Sequence, residues 1–175
     1  MIDRLYVSSA GGVWAAGGPH LWHLTTPEWK EVKFDSGPCE QKWLMRSLGV
    51  DQNDISRIGF VTFADETHGW LAFSNGSLER TTDGGRTWCD LLSPQHGLDA
   101  PGEPLIFAAM HFSSPLNGIA LSAWGGLYQT VDGGSLWARL ETKEQLRAVS
   151  FNSPNEGLAI GDSGAFRITP RNRGY

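Results

Sequence analysis

The sequence predicts an all-β fold, a small β-propeller of about four blades with one short helical insertion. Three observations lead there. An eight-residue phrase occurs twice, Thr81-Thr82-Asp83-Gly84-Gly85-Arg86-Thr87-Trp88 and Thr130-Val131-Asp132-Gly133-Gly134-Ser135-Leu136-Trp137, the second copy 49 positions after the first. The flanks repeat as well: Phe63, Phe112 and Phe151 each open a polar turn that closes on Gly69, Gly118 or Gly157, and a short apolar run follows. Between turns lie short β-rich stretches, up to four in roughly forty residues, the span of one propeller blade.

The repeated phrase has a physical reading. An aspartate carboxylate accepts hydrogen bonds from the backbone of the turn it starts. The glycine pair lets the chain pass through positive φ. The closing tryptophan is a large apolar anchor that can pin the turn to a neighbouring sheet. A blade cannot bury its apolar face alone, so neighbouring blades must stack.

Taken in order, a degenerate repeat opens the chain over 1–34. Leu5-Tyr6-Val7, Gly12-Val13-Trp14-Ala15 and Leu21-Trp22-His23-Leu24-Thr25-Thr26 read as its strands, and Pro27-Glu28-Trp29 replaces the aspartate turn but keeps its tryptophan. An insertion over 35–56 follows. Gly37-Pro38 precedes and Gly49 ends its one stretch of helical composition, where Trp43, Leu44 and Leu48 would form an apolar stripe. The second repeat covers 57–92: Arg57–Phe63, Trp70–Phe73, then the tight-turn pair Asn75-Gly76, then the alternating Leu78–Thr82, the aspartate turn and Trp88–Leu92. Ser93–Pro104 is rich in proline and glycine and reads as a long loop. The third repeat covers 104–141 and the fourth 145–175, which ends after a third strand at Ala165–Thr169.

The phrase resembles the Asp-box, or BNR, repeat, Ser/Thr-x-Asp-x-Gly-x-Thr/Ser-Trp. Thr81, Asp83, Gly85, Thr87 and Trp88 meet every fixed position, while the second copy meets Thr130, Asp132, Gly134 and Trp137 and carries Leu136 where Thr or Ser is usual. The Gly-Trp-Leu-Ala and Glu-Gly-Leu-Ala-Ile-Gly-Asp-Ser-Gly phrases look like the photosystem II assembly and stability-factor branch of that superfamily. The resemblance implies a propeller that binds protein and assists assembly. It also implies that Asp83 and Asp132 are structural. Members of that branch usually carry more blades than this chain supplies. Either four blades close on themselves or two chains complete a larger ring, and a closed or nearly closed monomer is the expectation, with a dimer as the alternative.

Composition narrows the function. The formal charge of −5 and the absence of a basic stripe argue against nucleic acid and fit a basic protein partner. The first residues read as a strand and not a signal peptide, and no apolar run has the ~18 residues of a membrane helix. The two cysteines, Cys39 and Cys89, lack metal spacing and are expected as free thiols in a cytoplasmic protein, with a disulfide between them as the lesser alternative.

No cofactor or metal is expected. His20 and His23 stand at i,i+3 on a predicted strand, where they point to opposite faces. Phe166-Arg167-Ile168-Thr169-Pro170 resembles a sialidase phrase, but no arginine triad or tyrosine–glutamate nucleophile pair accompanies it. A glycosidase needs two positioned carboxylates, and Asp65, Glu66, Glu156 and Asp162 fall at blade turns from which they could converge. Trp124, on the glycine-rich loop Ser122–Gly126, and Trp22 are candidate partner anchors, with core packing as the competing use. The stripe of Trp43, Leu44 and Leu48 either covers the propeller's side or docks a partner. The leading function is therefore a non-enzymatic protein-binding propeller, an assembly factor or a toxin-neutralising immunity binder. The alternatives are a carbohydrate-binding or sialidase-like propeller and a structural subunit of a larger or dimeric ring.

Overall fold

The computed structural model describes residues 2, 4–7, 11–18, 20–32, 57–91, 105–153 and 156–168, with backbone alone at 152 and 153. The insertion expected to be helical, with Trp43, Leu44 and Leu48, and the expected long loop lie outside the described residues, as do 169–175.

The chain is an all-β propeller of four sheets. The first sheet holds β1 (Arg4–Val7), β2 (Val13–Gly17), β3 (His20–Thr25) and β4 (Glu28–Glu31). The second holds β5 (Ile58–Phe63), β6 (Gly69–Phe73), β7 (Leu78–Thr81) and β8 (Cys89–Leu91). The third holds β9 (Phe107–Phe112), β10 (Gly118–Ser122), β11 (Leu127–Thr130) and β12 (Ala138–Leu140). The fourth holds β13 (Leu146–Ser153), β14 (Glu156–Gly161) and β15 (Gly164–Ile168). Each sheet is an antiparallel meander of sequential strands. In the first repeat the sequence placed Trp29 in a turn. The structure places it in β4, opposite Leu24, because the chain turns more tightly at Thr26-Pro27.

The registers are the same from sheet to sheet. Phe63 pairs with Gly69, Phe112 with Gly118 and Phe151 with Gly157, and a side chain on Gly69 or Gly118 would run into its partner's ring. β6 and β10 are apolar at almost every position because both of their faces are covered. Alternate residues then go to opposite neighbours. Leu71 faces a core shared with the first sheet, while Trp70 and Ala72 face a core shared with the third. Ile119 and Leu121 face a third core, shared with the fourth sheet. Fully burying one such side chain is worth about 1.5–3 kcal/mol, so the stacking of sheets, and not any one sheet, holds the domain.

Aromatic rings tie the sheets together. The Trp14 ring lies over Gly85, where an added Cβ would come within 2.4 Å of it. Trp70 stacks on Phe112 with ring centroids 3.4 Å apart and donates its indole N–H to the Gly133 carbonyl at 2.8 Å. Each of these tryptophans therefore rests on the aspartate turn of the next sheet.

The meander separates two rims. One carries the aspartate turns and the turns after β5 and β9, joined by Gly84 N–H to Thr67 O and Gly133 N–H to Leu116 O. The opposite rim carries the hairpin tips after β2, β6, β10 and β14, joined to strand starts by Ser74 N–H to Arg57 O and Leu146 N–H to Gly125 O. No apolar cluster among the described residues joins the fourth sheet to the first.

Candidate functional site

The aspartate turns are self-contained hydrogen-bond cages. Asp83 Oδ1 accepts from Thr81 Oγ1 at 2.8 Å, Arg86 N at 3.0 Å and Thr87 N at 2.9 Å, and its Oδ2 accepts from Thr87 Oγ1 at 2.7 Å. Thr81 Oγ1 accepts in turn from Gly85 N at 2.9 Å. Gly84 and Gly85 hold φ of 74° and 85°, which an L side chain rarely adopts. Trp88 closes the turn, its indole donating to Gly85 O at 3.1 Å. The second turn repeats Thr130 Oγ1 to Asp132 Oδ1 at 2.8 Å, Gly134 N to Thr130 Oγ1 at 2.9 Å and Leu136 N to Asp132 Oδ1 at 3.0 Å. It differs in other contacts, Ser135 Oγ donating to the Asp132 carbonyl at 3.3 Å. Leu136 has no hydroxyl to offer Asp132, and the buried Trp137 Nε1 has no hydrogen-bond partner among the described residues.

These bonds decide the chemistry of the carboxylates. Burial raises the Asp83 pKa, but bonds from the Thr87 backbone and hydroxyl, Thr81 and Arg86 outweigh it and hold the group below the usual aspartate range. Asp65 behaves alike: burial raises it, and bonds from the backbone and side chains of His68 and Thr67 lower it further than that. Both are fixed anions, the opposite of what a general acid needs.

Of the acids that the sequence left open to converge, Asp162 is set apart from the rest. Asp65 and Glu66 lie on the turn after β5 and Glu156 begins β14, all on the rim of the aspartate turns, whereas Asp162 follows β14 at the opposite rim. Arg167 of the sialidase-like phrase is exposed on β15 and pairs with Glu156 at 2.9 Å. His20 pairs with Glu31 at 2.6 Å, and His23 stacks on Trp14 with centroids 4.0 Å apart.

The rim of hairpin tips holds the candidate contact surface. Trp124 stands on the β10–β11 tip and is 63% exposed. Its backbone is clamped: Ala123 N donates to Ile106 O at 2.8 Å, Gly125 N to Ser122 O at 3.0 Å, and Gly126 N to Ser122 Oγ at 3.1 Å. Gly125, at φ 81°, approaches the Leu146 backbone so closely that an added Cβ would lie 2.7 Å from its carbonyl. The indole is thus presented on a fixed loop. Beside it runs a polar group of which the sequence had singled out Asp162 alone. Arg147 Nε donates to Asp162 Oδ1 at 2.9 Å, and the Ser163 hydroxyl and N–H donate to Glu144, the latter at 2.8 Å. The Ser163 hydroxyl bond, then its N–H bond, lower the Glu144 pKa. The Gly161-Asp162-Ser163-Gly164 tip was the available signal, since it stands where Ser122–Gly126 stands one repeat earlier. Trp22 is not part of this rim; it lies half-buried on β3 of the first sheet, paired with Ala15 and Glu31. Trp70 lies inside the core.

Cys89 is disulfide-bonded, which corrects the expectation of free thiols; the chain's other cysteine, Cys39, lies outside the described residues. Among the described residues no group of three histidine, cysteine or acidic side chains is placed to hold a metal ion, and no helix is long and apolar enough to cross a membrane.

No family model matches the chain. It is 35% identical over 124 residues to photosystem II assembly lipoprotein Ycf48 of Synechococcus sp. (strain CC9902), a stretch covering 70% of this chain and 34% of that protein. It is 34% identical over 132 residues to the protein of the same name from Synechocystis sp., covering 73% of this chain and 36% of that protein. The chain therefore spans about a third of the length of these relatives. Among solved structures it resembles YCF48 bound to D1 peptide, with a TM-score of 0.66 at 17% identity over 98% of this chain and 51% of that one. YCF48 from Cyanidioschyzon merolae gives 0.65 at 16% identity over 96% and 50%. Both curated relatives are named lipoproteins, which overturns the expectation of a cytoplasmic protein, since a lipid anchor places a protein at a membrane surface. Over the matched span the chain is a homologue of Ycf48, and its fold is that of the YCF48 propellers.

Proposed function

We propose that the chain is a non-enzymatic protein-binding propeller of the assembly-factor kind, and that it captures a peptide segment of a client protein on the rim carrying Trp124. The homology to Ycf48 carries this reading, because a solved YCF48 holds a D1 peptide. The rim supplies what peptide capture requires. A rigid exposed indole gives a large contact at small entropic cost. The pairs Arg147–Asp162 and Glu144–Ser163 beside it offer both charge signs for backbone and side-chain contacts. The insertion that holds Trp43, Leu44 and Leu48 joins β4 to β5 at this rim and is the further candidate for contact. The engagement of Asp65, Glu156 and Asp162 in hydrogen bonds and ion pairs, and the place of Asp162 on the opposite rim, count against a glycosidase.

The protein works outside the reducing cytosol in this reading. The lipoprotein relatives support that placement, and so does the disulfide at Cys89, a bond that persists in oxidising compartments.

Titration of a fluorescent D1 peptide with the chain tests the proposal. Anisotropy should saturate, and Trp124→Ala should weaken binding about tenfold or more, the loss of a hot-spot anchor, with the melting curve unchanged. Absence of binding by the parent chain refutes the function. Equal binding by Trp124→Ala refutes the rim, and turnover of a fluorogenic sialoside refutes the non-enzymatic assignment.

A further inference from the structure

The shared register makes it possible to ask what the outer faces of the two end sheets are built to do. In β14, Leu158 and Ile160 occupy the positions of Trp70 and Ala72 in β6 and of Ile119 and Leu121 in β10, as their pairing with the adjacent strands shows. In the inner sheets these are the residues that pack on the following sheet, and they are buried. In the fourth sheet Leu158 is 61% and Ile160 50% exposed. The first sheet mirrors this. Leu5, Val7 and Trp29 occupy the positions of Val61, Phe63 and Trp88, and of Met110, Phe112 and Trp137, which pack on the preceding sheet. Here they are 67%, 73% and 42% exposed. Each end of the array is thus half of the interface used three times inside it, and the two halves are of opposite kind. The outer face of the fourth sheet also carries a notch of about 160 Å³ lined by Ser150, Glu156, Gly157, Leu158 and Arg167.

We infer that the occupant of both faces is a second copy of this chain. The fourth sheet of each copy stacks on the first sheet of the other, so that two copies close a ring of eight sheets. The 175-residue chain offers one half of that interface on its fourth sheet and the other half on its first, so a two-fold arrangement pairs all four exposed faces. Trp22, half-buried on the same outward face as Leu5, becomes part of this contact. Exposed apolar patches rimmed by charge, here Arg167 and Glu156 on one side and Glu31 on the other, are the usual mark of such a surface.

Light scattering on the purified 175-residue chain reads the mass directly. The expected value is twice 19.1 kDa. Leu158→Glu and Val7→Glu, each at an exposed position, should raise the dimer dissociation constant at least about thirtyfold, as loss of a hot-spot contact does. Mixing the two variants should restore dimers, because one of the two interfaces then has two unaltered faces. A parent chain that stays a monomer at 100 μM concentration (about 2 mg/ml) overturns the inference. So does a Val7→Glu variant that remains dimeric, which would mean like faces pairing, or a mixture that fails to recover. If either glutamate variant unfolds by near-UV circular dichroism, Ile160→Lys and Leu5→Lys repeat the test on the same two faces. Peptide binding does not enter any of these readouts, so the outcome is separate from that of the proposed function.

Discussion

The indole nitrogen stands in a different environment in each aspartate turn, and that difference predicts unequal responses to the same substitution. Trp88 and Trp137 are both buried and pack edge-on against a phenylalanine of their own sheet, Phe63 and Phe112. Truncating either to alanine should cost about 3–5 kcal/mol, the usual loss for a core aromatic. Phenylalanine separates them. Trp88→Phe withdraws the donor from Gly85 O, a 3.1 Å bond worth about 0.5–1.5 kcal/mol net. Trp137→Phe withdraws an N–H that has no partner, and removing such a buried donor returns the roughly 1–3 kcal/mol that its desolvation costs. The lost ring area is common to both and cancels. Trp88→Phe should therefore be the more destabilising by at least ~1.5 kcal/mol. Urea denaturation of both variants, with unchanged slope as the check on two-state behaviour, gives the difference directly. Equal losses, or a larger loss at Trp137, would refute the claim that the turn is held by its indole bond as well as by its apolar contact.

Further outcomes follow from the same geometry. Leu136→Thr places a hydroxyl where Thr87 has one in the first turn, and should stabilise by about 0.5–1.5 kcal/mol in thermal or urea melts. Asp65 and Asp83 both titrate below the ordinary range in the folded chain, so the stability they contribute is complete above the unfolded-state value near 3.9 and is lost as pH falls through the lower folded values. Acid melts of Asp83→Asn and Asp65→Asn should accordingly lose less stability below about pH 4 than the parent does. Maleimide labelling of the denatured, unreduced chain should leave Cys89 unmodified, and labelling after reduction should add it; modification without reductant would contradict the disulfide.

The strands were legible because their signals are local. Phe63 to Gly69, the Asn75-Gly76 tip and the alternation of Leu78–Thr81 each specify a few residues at a time, and the observed β5, β6 and β7 end within a residue or two of the expected bounds. The aspartate turns were legible for the same reason, since every bond of Asp83 lies within four residues of it. What the sequence did not reveal acts across sheets. The bond from Trp70 to Gly133 joins residues 63 apart, and no local pattern distinguishes an indole that latches a neighbour from one that fills its own sheet. The separation of Asp162 from Asp65 and Glu66 depends on counting strand reversals, which a list of turns conceals. The disulfide was ranked below free thiols because cysteine spacing says nothing about distance in the fold. Trp124 was legible as a loop residue, but the clamp that makes it a fixed presenter comes from Leu146 in the next sheet.

The division of labour between the rims has a bearing on how such a chain can change. Both long connections, 33–56 and 92–104, leave and re-enter at the edge that displays Trp124, while the latching glycines sit at the far edge. New residues can therefore accumulate on one side, altering what is recognised, without loosening the joints that keep the sheets in order. Descendants of this scaffold should differ most in ligand and least in frame.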